Sequence, residues 1–212
     1  MNLDDRMKLF EKQIAGGRCM PLLPILARID GKSFHTWTHD LERPYDKRLH
    51  DLFVETTKFL VEETQARVGY TQSDEISLMW YSDDVESQVF FDGKIHKMVS
   101  VLASMTTGFF NHEVPYYLPK PAEPQNAREW WREFRRELHK WHDRVSNGVE
   151  SDCIPIPTRS LAFFDCRVWQ VPTLEEATNV FVWRELDATR NSIQMAAQAH
   201  YSHNQLLNKN NS

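Results

Sequence analysis

Apolar positions along this chain change their period several times, and each change marks an element. Leu3, Met7, Phe10 and Ile14 share one face of a 3.6-residue repeat that Gly16-Gly17 ends, which predicts an opening helix. Leu22 to Ile29 is a short apolar run that must turn at Asp30-Gly31, so it reads as a strand with a carboxylate beside a flexible backbone. Leu49, Leu52, Phe53, Thr56, Phe59 and Leu60 return to helical spacing. Arg67 to Gln72 and Ile76 to Tyr81 are strand-like runs flanking Ser73-Asp74-Glu75, which predicts a hairpin with two acids at its tip. A third helix is expected from Lys94 to Phe110, on Ile95, Met98, Val99, Leu102 and Met105. Ala162 to Trp169 reads as a last strand, and Thr173 with Glu176 is a capping box opening a helix towards His200. Strand, helix, strand, strand, helix, strand is compatible with an α+β, ferredoxin-like antiparallel sheet with helices packed on one face.

Composition narrows this to one domain. The 212 residues, 41% of them apolar, suit a single unit over 1–212 with a substantial core. Within it, Leu118 to Pro124 is proline-rich and Ser146-Asn147-Gly148 is turn-forming. The helix-like stretch Asn126 to Val145 between them is expected to be a surface addition on stiff arms. There Trp130, Trp131, Phe134, Leu138 and Trp141 interleave with Arg128, Arg132, Arg135, Arg136, His139 and Lys140. Tryptophans stacking on unpaired bases while arginines meet phosphates would suit RNA. An amphipathic helix docking its Trp face on the core or on another subunit explains the same stripe, and the burial habit of such stripes favours it. A net charge of −5 excludes a protein coated in basic surface, so any RNA contact must be a local patch. His139 and His142 have no carboxylate or cysteine to complete a metal set. Cys19, Cys153 and Cys166 lack zinc-site spacing and read as reduced thiols. No cleavable signal or long apolar span stands out, which makes the cytoplasm the expected compartment and gives no membrane partner.

The candidate chemistry lies where the apolar runs end. Pairing the first strand with the hairpin would gather Asp30 and Asp74, with Glu75 beside them, within reach of hard cations. Magnesium takes one or two carboxylates from a protein and completes its octahedron with water and substrate phosphates. Asp-Gly and Ser-Asp are also common turn dipeptides, and either alone is explained by turn chemistry. Two strand-end acids in one small domain, with Lys32, Ser33 and Ser73 adjacent as phosphate donors, point beyond turns to a two-metal nucleotidyl-transfer site.

Longer blocks carry a resemblance. Asp4 to Lys8, Ala27 to Gly31, Arg43 to Asp46, Val61 to Thr64, Gly69 to Ser77, Asp92 to Ile95, Phe164 to Val168, Trp183 to Ser192 and Tyr201 to Asn204 look like blocks of the tRNA(His) guanylyltransferase superfamily, in family order. The chain is most similar to the bacterial-type Thg1-like proteins, 3'-5' RNA polymerases, because it carries Thr189-Arg190-Asn191-Ser192 where eukaryotic members have His-Ile-Asn-Asn. Residues from about 118 to 157 look like an insertion, and the sequence ends near Ser212 where relatives usually continue.

The resemblance implies a palm like that of polymerases and nucleotide cyclases. It implies two Mg2+ ions held by Asp30, the Gly31 carbonyl and Asp74, with Glu75 a further acid needed for activity. It places Lys32, Ser33, Phe34 and His35, largely through backbone N–H groups, at a nucleoside triphosphate together with Ser73, Lys94, Lys97, Arg190 and Asn191, and Arg43 and Asp46 near the nucleotide. The implied activity is template-dependent addition of nucleotides to the 5' end of tRNA or tRNA-like RNA, using ATP, GTP and other NTPs, by a homo-oligomer (tetramer or dimer). The rival readings are a palm-type nucleotide cyclase or NTP-oligonucleotide synthase, which needs no RNA, and a non-catalytic RNA-binding protein. Lys94 and Lys97 can also be read as a solvated helix start, and taken without the resemblance Arg190 and Asn191 are better read as an ordinary polar helix face.

Overall fold

Alternation of side chains across four strands organises the protein. The computed structural model describes residues 5–8, 16–118, 132, 135–136, 139–140 and 160–206. Strand β1 (Ile25–Gly31) leads through the short helix α1 (Phe34–Trp37) to α2 (Lys47–Thr64), and the hairpin of β2 (Val68–Gln72) and β3 (Glu75–Trp80) follows. A 3-10 turn at Phe90–Gly93 precedes α3 (Ile95–Tyr117), and β4 (Phe164–Gln170), α4 (Leu174–His200) and the short α5 (His203–Leu206) complete the described elements. The sheet runs β2-β3-β1-β4, with every neighbouring pair antiparallel.

One face of this sheet is apolar at every second residue. Ile25, Ala27 and Ile29 of β1, Ile76, Leu78 and Trp80 of β3, and Phe164 and Cys166 of β4 meet Leu52, Phe53 and Leu60 of α2 and Met98, Leu102 and Phe110 of α3 in one buried cluster. The opposite face presents Arg28, Asp30, Glu75, Ser77, Asp165 and Arg167 by the same alternation. Helix α4 lies over part of that second face, with Trp183 above Arg28 and Arg184 bonded to Glu75. The expectation of helices on one face therefore holds for α2 and α3 and is corrected for α4. Polar residues at alternate strand positions gave that helix something to pair with.

Caps fix the helix starts. Asp46 accepts from the Arg48 N–H at the head of α2, and the Thr173 hydroxyl accepts from the Glu176 N–H at the head of α4. Inside α2, Thr56, Thr57 and Thr64 donate their hydroxyls to carbonyls four residues back, so they are buried without an unpaired group. Two glycines permit close packing. A methyl at Gly69 would lie 2.6 Å from Val61 of α2, and one at Gly31 would overlap the Phe34 ring. Gly31 thus belongs to the strand as a point of close approach, not as a flexible joint.

The element ends differ from the pattern in instructive places. β1 starts at Ile25 because Leu22 adopts a left-handed turn conformation, φ 63°. α3 continues past Phe110 to Tyr117, since Val114 and Leu118 extend its buried stripe, and Leu118 is core where the insertion was expected to begin. Glu75 opens β3 and pairs with Gln72 and Asp30, so the hairpin tip carries one acid, not two. Of the opening helix only residues 5–8 are described, and they are helical. Arg132, Arg135, Arg136, His139 and Lys140 are helical and exposed. The tryptophans of that stretch, with His142 and Cys153, lie outside the described residues. Cys19 and Cys166 are free and buried. Among the described residues no helix is long and apolar enough to cross a membrane.

Candidate functional site

Where β1 ends beside the β2–β3 turn, a cavity of about 830 Å³ opens between α1, the head of α2 and the C-terminal half of α4. Phe34 holds this corner by packing its ring against Trp37, Phe53, Phe110 and Phe164 at centroid distances of 5.0 to 5.7 Å. Its side chain is therefore core, and only its backbone can serve a ligand. Ser33 and Ser73, on two turns that line the cavity, both take left-handed conformations, with φ of 54° and 52°. Strained backbone of this kind clusters at functional sites.

The two strand-end acids are brought together. The Gly31 N–H donates to the Asp74 carbonyl at 3.1 Å, which ties the end of β1 to the hairpin tip. Burial pushes the Asp74 carboxyl above its ordinary range, and the charge of Asp30 adds to the rise while the Ser73 hydroxyl, 3.0 Å away, opposes it. Two neighbouring carboxylates, one of them desolvated, form an oxygen-only hard donor pair whose repulsion a divalent cation would remove. Among the described residues no set of three or more His, Cys, Asp or Glu side chains is clustered for a metal, so the acids act as a pair. Magnesium needs no more from a protein.

Gly31, Ser33, Phe34, His35, Arg43, Asp46, Ser73, Asp74 and Asn191 all line the cavity. Asp30, Lys32, Glu75 and Arg190 flank it without lining it. The Lys32 N–H is already engaged by the Phe163 carbonyl at 2.8 Å, so its backbone has no donor left for a phosphate. Lys94 and Lys97 are not brought here within the chain. Lys94 bridges to Arg18 and Lys97 lies over the Phe91 ring, near the Trp80 and Ile25 end of the sheet, whereas the acids are at the other end. Helical spacing linked the lysines to each other but said nothing of which sheet end they reach.

Glu75 has a different employment from Asp74. It is 6% exposed and accepts from Arg184 Nε at 2.6 Å, with Arg28 Nε at 3.6 Å, both on the face under α4. Arg184 in turn donates to Asp187, which also accepts from Arg190 and Asn191. Sequence reasoning missed Arg184 and Asp187, and also Asp165, which is Asp30's neighbour across β1 and β4. The i, i+3 spacing of Arg184 and Asp187 was visible; which strand residue Arg184 would meet was not.

Asp46 is likewise engaged within the protein. Its carboxylate accepts from Arg48 and from the Glu42 N–H, and the Arg48 guanidinium first of all holds it down to about 2. A depressed carboxylate stabilises above its unfolded value and loses that contribution as pH falls through the folded one. Asp46→Ala is accordingly expected to cost about 1–2 kcal/mol at neutral pH, with the half-exposed Arg48 limiting the gain. Urea unfolding of both proteins should show the gap closing between roughly pH 4 and pH 2.

The chain matches the tRNAHis guanylyltransferase (Thg1) family over residues 4–172. Among solved structures it is similar to a bacterial tRNA(HIS) guanylyltransferase (Thg1)-like protein in complex with ATP, at 32% identity and a TM-score of 0.75 over 99% of this chain and 75% of that one. A bacterial Thg1-like protein in complex with GTP is similar at 31% identity and a TM-score of 0.72, over 95% and 79% of the two chains. The uncharacterized protein R259 of Acanthamoeba polyphaga mimivirus is 27% identical over 92% of this chain. The tRNA(His) guanylyltransferase of Schizosaccharomyces pombe is 26% identical over 83% of it. This chain spans 62% and 53% of the lengths of those two relatives. By the family match and the bacterial structures together, this chain belongs to the tRNA(His) guanylyltransferase (Thg1) family.

Proposed function

We propose that the protein is a template-dependent 3'-5' nucleotidyltransferase that adds nucleotides to the 5' end of tRNA or a tRNA-like RNA, in the cytoplasm, as a repair or editing enzyme. The observation that carries this reading is the pair Asp30 and Asp74, brought near each other where the Gly31 N–H bonds the Asp74 carbonyl, beside a cavity large enough for a nucleotide. Family membership and the ATP and GTP complexes of the bacterial relatives support it. The β-α-β-β-α-β order with strands arranged β2-β3-β1-β4 supports a ferredoxin-like palm beneath the site.

In this reading Asp30 and Asp74, with the Gly31 carbonyl, hold Mg2+, which when bound lowers the pKa of an attacking hydroxyl and neutralises triphosphate charge. The chain's own residues position the reactants. The turns that carry Ser33, His35 and Ser73 line the cavity and offer backbone donors to the phosphates, and Arg43 adds a cation. Phe34 fixes the turn from below, so these donors keep their spacing without ligand. Asn191 presents its carboxamide from the α4 wall to sugar or base. The exposed basic residues Arg132, Arg135 and Arg136 suit RNA phosphates.

Thr189-Arg190-Asn191-Ser192 favours the template-dependent branch. Incorporation is expected to follow Watson-Crick pairing with the opposing acceptor strand, tested with tRNAs carrying each of the four bases at that position. Guanosine added opposite every base would refute it.

A further inference from the structure

The pocket wall opposite the metal carboxylates is one face of α4, and something must set its rotation. Hydrophobic packing does so weakly, because Val182, Leu186 and Ile193 of this helix are exposed. Polar contacts do it instead. Tyr70 donates its hydroxyl to Glu185 at 2.5 Å, and its phenol, pushed up to about 12 first by burial and then by Glu185, stays a donor. Beside Glu185 in sequence, Arg184 is 6% exposed and reaches down to Glu75 at 2.6 Å, while its other nitrogen donates to Asp187 at 2.9 Å. Asp187 completes the line by accepting from the Asn191 carboxamide nitrogen at 3.4 Å, and Asn191 lines the cavity.

We propose that Arg184 and Asp187 are positioning residues: with Glu75 they form a relay from the end of a central strand that fixes α4 and turns the Asn191 carboxamide towards the bound nucleotide. Adjacent residues Asp74 and Glu75 thereby divide two tasks. Alternation in β3 sends the Glu75 side chain to the α4 face, while Asp74 stays on the turn at the cavity. With its nitrogen directed at Asp187, Asn191 leaves its carbonyl oxygen for a donor on the ligand, a ribose hydroxyl or a base amine. Arg184 suits the middle position because its planar fork spans two carboxylates with fixed geometry, which lysine cannot do.

This inference rests on the cavity being a nucleotide site, and two readouts separate the two. The first needs no ligand: the side-chain amide resonances of Asn191 in the 15N spectrum of the free protein. Arg184→Lys touches Asn191 nowhere, yet should move them, as should Asp187→Asn. The second is calorimetric binding of a non-hydrolysable ATP analogue with Mg2+ to Asp187→Ala, Asn191→Ala and the double variant. Each single change is expected to weaken binding about tenfold, and the double variant no more than either alone, because they remove one shared interaction. A residue that merely supports the fold would give effects that multiply to about a hundredfold. Unmoved Asn191 resonances, binding by Asp187→Ala within about twofold of wild type, or multiplying effects would each overturn the relay. Moved resonances in the variants, with a wild type that fails to bind the analogue, would keep the relay and remove the nucleotide reading.

Discussion

Asp30→Ala and Asp74→Ala are each expected to lower nucleotide addition by at least about 100-fold while leaving the protein folded, since the loss of a metal's charge stabilisation costs several kcal/mol of barrier. Stability should move the other way for Asp74. A carboxyl whose folded pKa is raised makes its ionised form a burden above that pKa, and the burden fades as pH falls below it. Asp74→Asn should therefore stabilise the metal-free protein slightly at neutral pH and lose that advantage in acid. Added Mg2+ should stabilise wild type and not Asp74→Asn. More than about a tenth of the wild-type rate in either alanine variant would remove the pair from the mechanism.

Glu75→Ala is expected to reduce activity for a different reason, and to cost about 3–5 kcal/mol in folding stability, the usual penalty for stranding a buried charge. Arg184 would lose its 2.6 Å partner inside the protein, and Arg28, whose Nε has no hydrogen-bond partner among the described residues, would lose its nearest carboxylate. Glu75→Met with Arg184→Met should recover part of the stability, because a matched apolar pair avoids the desolvation cost. Denaturant midpoints decide it. A Glu75→Ala protein within about 1 kcal/mol of wild type would show that the ion pair is not what holds α4.

Much of the fold was legible because its signals are local. Period-2 runs around the hairpin, helical spacing at Leu49 to Leu60 and the Thr173 cap each specify an element without knowledge of its neighbours. The strand-end acids were legible for the same reason, as a carboxylate after an apolar run projects where a strand stops. What the sequence left open depends on register. A shift of one position turns every side chain to the other face, and only the observed pairing of Asp30 with Glu75 separates Glu75 from Asp74. The same information was needed to see that Arg184 meets Glu75 and that Lys94 and Lys97 lie at the far end of the sheet. Family blocks supplied residue roles but not these distances.

One assay bears on the whole account: 5'-labelled tRNA lacking its first nucleotide, incubated with each NTP and Mg2+, its products sized on a gel. The account predicts RNA lengthened at the 5' end, dependent on the divalent cation, by the nucleotide complementary to the opposing base, and no extension by Asp74→Ala. Cyclic or dinucleotide products formed from NTP without RNA, or tRNA bound but never extended, would contradict it.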